Sequence, residues 1–175
     1  MKGRALAVAF FLGVSGALIV PEAQRYSARI ELNRVESLIR YAQADTDSVR
    51  KKAALLNARD RLEALALRIP NDVRPPYLRG ASAQLRGEPR EALEAFRDSM
   101  AVQERPVVDF AMSRAYQASG NAENAAACAL RAVWLSPWLR WQLPKPARRP
   151  LESEVRRLEE RLREGDVSAI PELPP

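Results

Sequence analysis

Two stretches of this chain repeat one another at a fixed spacing, and that recurrence restricts the fold more than any other feature of the sequence. Gly87, Ala92, Phe96, Ser99 and Met100 return as Gly120, Ala125, Ala129, Ala132 and Val133, each pair 33 residues apart. Self-similarity at a period of roughly 20 to 50 residues marks stacked supersecondary units and not a generic bundle. The spacing of Ala92, Phe96, Ser99 and Met100 places all four on one face of an α-helix. The glycine before that face ends the preceding helix, and Pro89 or Asn121 starts the new one. Small residues at Gly80, Ala92, Ala125 and Ala132 let helices approach closely, so these positions account for packing and not for chemistry.

In the second copy Pro106 opens a helix, Tyr116 precedes Gly120 by four residues, and Ala125, Ala132 and a closing Pro137 follow; the set resembles a tetratricopeptide repeat. The first copy, residues 75–105, keeps Gly80, Gly87, Ala92 and Phe96. Residues 58–70 look like the second half of an earlier, degenerate repeat, so the resemblance covers residues 58–137. It departs from the family at Asp109, where a large aromatic residue is usual, and at Ala83, where tyrosine is preferred. The resemblance implies an all-α solenoid of antiparallel helix pairs that holds other proteins and catalyses nothing. It further implies a concave face built from the first helix of each pair, with Tyr77, Gln84, Asp109, Ser113 and Arg114 as the partner-binding candidates. Two and a half repeats are close to the minimum for stability, so both ends need caps. The helix from Glu22 and the segment after Pro137 are the candidates.

Ahead of the repeats, Lys2 and Arg4 precede residues 5–20, which carry no charge. A positive start followed by an apolar run reads as a signal-anchor or transmembrane helix over residues 1–21, or as a cleaved secretory signal, with Ser15 and Ala17 as the small residues of a cleavage site. Sixteen helical residues rise about 24 Å against a hydrocarbon core of about 30 Å, so the segment is short for a span. Arg25, Arg29 and Arg34 follow it closely, which leaves the positive-inside count balanced. A short charged tail before the apolar run favours an exported, periplasmic body on a single-pass bacterial inner-membrane protein.

Pro21 is expected to close this segment and open a second, amphipathic helix over residues 22–43, with Ala23, Tyr26, Ile30, Val35, Leu38 and Ile39 on its apolar side. Residues 44–48 form a polar turn, with Asp45, Thr46 or Asp47 as the N-cap of a helix ending at Ile69 before Pro70. Its expected apolar set is Val49, Ala53, Leu56, Leu62, Leu65 and Ile69.

Residues 138–175 form the last division, after residues 22–70 and the two repeats of residues 71–137. Trp134, Trp138 and Trp141 fall within eight residues, among Leu135, Leu139 and Leu143. They read as a hydrophobic cap on the array, a belt at the membrane interface or a partner contact, and Trp138 and Trp141 join the partner-binding candidates. Residues 144–150, with Lys145, Arg148 and Arg149, are expected to be an extended basic linker able to contact anionic lipid. Residues 151–164 read as a helix with Leu151, Val155, Leu158 and Leu162 in one seam, followed by an extended tail over residues 169–175.

The chain has no histidine, which removes the commonest general base and transition-metal ligand. Cys128 is the only cysteine and stands among alanines, where burial is expected. Neither a phosphate-cradling glycine loop nor a metal-ligand spacing nor a nucleophile elbow is present. No cofactor and no metal are expected. A net charge of +6 suits anionic lipid or an acidic partner, and a body outside the cytoplasm does not meet nucleic acid. The expected function is a membrane-anchored protein–protein interaction scaffold that assembles subunits of a membrane or envelope complex. The alternative is a permanent accessory or structural subunit of an integral membrane complex.

Overall fold

The computed structural model describes residues 2–174, with side chains from residue 22 onward. Among the described residues there are seven α-helices and two short 3₁₀ turns, and no strand, so the chain is all-α. They divide into two units, Met1–Pro75 and Pro76–Pro175.

The first unit is an antiparallel hairpin of α1, Lys2–Ala44, and α2, Ser48–Arg68. Asp47 turns the corner: its carboxylate accepts from the backbone N–H of Val49 at 2.9 Å and of Arg50 at 3.2 Å, which satisfies two donors that the first helical turn leaves open. The Arg50 guanidinium and these two amides hold the Asp47 carboxyl below its usual range. Ala28, Leu32, Val35, Ile39 and Ala42 of α1 are buried, as are Leu55, Ala58, Leu62 and Leu65 of α2. Alternating steps of four and three make each set a narrow stripe, the pattern of two long helices packed side by side. Glu31 receives Arg68 at 3.0 Å and Arg61 at 3.5 Å, and Arg68 also donates to the Ser27 hydroxyl, which fixes the register of the pair.

Two expectations change here, and a third lies outside the residues whose side chains are described. The α1 backbone runs through Pro21, although a proline inside a helix removes one hydrogen bond and crowds the carbonyl one turn earlier. The apolar stripes are also shifted. Tyr26 is 69% exposed and Val49 76%, while Leu55, absent from the expected set, is buried. In both helices more apolar residues are present than one stripe holds, and the partner helix selects among them. Residues 5–20, expected as the anchor, lie on α1 but outside the residues whose side chains are described; among the described residues no helix is long and apolar enough to cross a membrane.

The second unit contains the recurrence. Helices α3, Arg74–Arg86, and α4, Pro89–Val102, are followed by α5, Pro106–Ala118, and α6, Ala122–Leu135. The two inter-helix turns are built alike. Gly87 adopts φ 77° and Gly120 φ 80°, a left-handed conformation that a side chain resists. The Gly87 N–H donates to the Gln84 carbonyl and the Glu88 N–H to that of Ala83; 33 residues on, Gly120 donates to Gln117 and Asn121 to Tyr116. Gly80 has a different reason to be glycine: a β-carbon there would stand 2.5 Å from the Phe96 ring.

A first core cluster joins Ala83, Ala92, Phe96, Val108, Met112, Ala115, Tyr116 and Cys128. A second joins Phe110, Ala132, Val133 and Leu139, with Leu143, Leu151 and Val155 packed against it. The last three come from the 3₁₀ turn Pro137–Gln142 and its exit and from α7, Lys145–Arg163, which therefore docks on the array. The cap is made by Leu139, not by the tryptophans that flank it. The basic stretch 144–150 is helical and not extended from Lys145 onward: Pro146 lies in the first turn, whose N–H groups lack helical partners anyway, and Pro150 sacrifices one bond.

Candidate functional site

The side chains expected to meet a partner divide into two groups. Tyr77 is half-buried, with its ring tilted against Phe96 at a centroid distance of 5.9 Å. Gln84 reaches from α3 to α5, where its amide donates to the Ala111 carbonyl at 2.8 Å. The Ser113 hydroxyl is buried and donates to the Phe110 carbonyl of its own helix. Asp109 is 0% exposed. Solvent instead reaches Arg114, Trp138 and Trp141.

Asp109 is the most unusual of these residues. Both carboxylate oxygens are buried and neither accepts a hydrogen bond. Burial, with the charge of Glu104 adding to it and that of Arg131 opposing it, pushes its pKa up to about 7. Burial also pushes the Cys128 thiol up to about 12, and the nearby Asp109 adds to that shift. Acid and thiol are both sealed from solvent.

The tryptophans form a ledge outside the second core cluster. Trp138 is 57% exposed and Trp141 58%, while Leu139 between them is 1% exposed. The Trp141 ring lies under two guanidinium groups, Arg140 at 4.7 Å and Arg148 at 5.4 Å. Arg148 is held in place by donating to the Trp141 and Leu143 carbonyls. Between α6 and α7 lies an apolar groove of about 410 Å³ whose lining includes Ala126, Leu130, Leu143 and Leu151.

A third feature was not anticipated. The C-terminal tail folds back onto the array: Leu173 packs against the first core cluster and the Arg131 guanidinium donates to the Pro171 carbonyl. Glu104, in the connection between α4 and α5, holds the same guanidinium at 2.6 Å. The partners in this contact are 27 and 40 residues apart, and no local pattern in the sequence announces it. Among the described residues, no group of three or more His, Cys, Asp or Glu side chains is placed to hold a metal ion.

No family model matches this sequence, and neither a curated protein nor a solved structure matches it.

Proposed function

We propose that the chain is a non-catalytic scaffold, a tetratricopeptide-like array tied to a membrane by residues 5–20, which holds subunits of a membrane or envelope complex together. The observation that carries this reading is the Trp138–Trp141 ledge. The second core cluster is closed by Leu139, yet two indoles remain more than half exposed beside it, with arginines over one of them. Exposed tryptophan and arginine are the side chains that protein interfaces concentrate at their centres. Arg114, exposed on α5, is a further candidate contact.

The second reading, a permanent accessory subunit, draws on residues 5–20 themselves. A segment of about 24 Å spans a bilayer of about 30 Å more readily when it packs beside other helices.

A photo-crosslinking amino acid placed at Trp138, Trp141 or Arg114, one at a time in living cells, tests the proposal. The expected result is a discrete protein adduct at the ledge positions and none at the exposed Arg156 on α7. Equal labelling everywhere, or adducts to lipid alone at the ledge, overturns it.

A further inference from the structure

The C-terminal tail occupies a seat that is built for an extended segment. After the turn Val167–Ala169 the chain has no helix or strand, and Pro171 and Pro174 carry no N–H. Beyond Ile170, no backbone–backbone hydrogen bond among the described residues ties the tail to the array. Pro171 is buried, and two further contacts hold the tail among the described residues. Leu173 enters against the first core cluster, and Arg131 donates to the Pro171 carbonyl. The second contact reads backbone, so any extended segment satisfies it. The first reads an apolar side chain two residues further on.

The seat is an oriented ion pair. Glu104 grips Arg131 through Nε at 2.8 Å and Nη2 at 2.6 Å, which aims the remaining guanidinium edge at the tail. A guanidinium oriented by a carboxylate loses less freedom when it binds a carbonyl. The tail's own hold is uneven: Pro171 is buried and Leu173 partly so, while Ile170 stays 41% exposed and Glu172 faces solvent.

From this geometry we propose that the Arg131–Glu104 seat is a docking site for an extended, proline-flanked segment carrying one apolar side chain, and that the tail is its resting occupant, which a partner's segment displaces. The inference rests on the scaffold reading for the existence of a partner, but its chemistry is independent of the tryptophan ledge. A tail attached by a short turn competes at an effective concentration of about 1 mM or more, so an outside segment binds only weakly until the tail is released.

The probe is a fluorescein-labelled peptide of residues 168–175, titrated by anisotropy into the detergent-solubilised full chain. Two variants release the tail: Leu173→Asp, and a chain ended after Ile170. The expected result is that both bind the peptide at least about tenfold more tightly than the wild-type chain does. Adding Arg131→Gln to Leu173→Asp removes that gain, and a peptide with aspartate at the leucine position does not bind. Equal binding to the wild-type and released chains, or binding to neither, overturns the proposal. So does loss of helix content in both released chains, since the tail is then a fixed part of the core. Crosslinking at Trp138 judges the scaffold reading separately: peptide binding with no protein adduct retains the seat and removes the scaffold.

Discussion

Asp109 shows how a residue that departs from a repeat pattern becomes physically informative. Its folded pKa of about 7 lies above the ordinary value of 3.8. Between those values the native chain therefore holds a proton that the unfolded chain has lost, and stability falls as pH rises through the window before levelling near neutrality. A difference of about three pKa units corresponds to roughly 4 kcal/mol. Asp47, Asp72 and Asp166, all shifted downward, act in the other direction and below the ordinary carboxylate range, so they leave this window nearly flat. Thermal melts at pH 4.5 and 7.5 are expected to differ strongly for the wild-type chain and little for Asp109→Asn. Parallel shifts in the two proteins would show that another group carries the effect. The sequence marked Asp109 as an exception to the family, but its burial was not legible there because burial depends on the helices around it. Gly80 was legible as a small position, and the Phe96 ring supplies the reason. Gly80→Ala is expected to destabilise by about 1 to 3 kcal/mol, since Phe96 is fully buried and has little room to retreat. A melting temperature equal to wild type would remove Gly80 from the helix contact.

At the scale of elements, the recurrence predicted α4 and α6 and the two glycine turns because these are local, made of residues close together in the chain. What lay beyond local pattern was the choice of face. The α1 and α2 sequences offer more apolar residues than one stripe uses, and only the pairing shows that Leu32 and Leu55 are inside and Tyr26 and Val49 outside. Leu32→Ala or Leu62→Ala is expected to cost about 2 to 5 kcal/mol, and Val49→Ala almost nothing. Equal melting temperatures for the three variants would contradict the register set by Glu31, Arg61 and Arg68. The tryptophan cluster was legible as a feature, but its division was not. A 3₁₀ turn repeats every three residues, so Leu139 faces inward while its neighbours Trp138 and Trp141 do not. Leu139→Ala is accordingly expected to lower the melting temperature, and Trp138→Ala with Trp141→Ala to leave helix content and melting temperature close to wild type. Unfolding by the tryptophan pair would restore them to the core.

At the scale of the whole molecule, an apolar N-terminal run and a helical unit with exposed indoles belong to one chain. In the proposed reading the apolar N-terminal run is the membrane tie, and the helical unit has a finished core with aromatic and arginine side chains left outside it. If that combination is a scaffold, the molecule in a native membrane is never alone. The most direct measurement is the mass of the particle that contains it after extraction into mild detergent, by size-exclusion chromatography with light scattering corrected for detergent. The account predicts a heteromeric particle well above the 19.6 kDa of the chain, with other proteins at fixed proportion. It further predicts that changing Trp138 and Trp141 to alanine returns the chain to its own mass without loss of helix. A chain that elutes by itself before any substitution, from membranes that hold it at native level, would contradict the central claim.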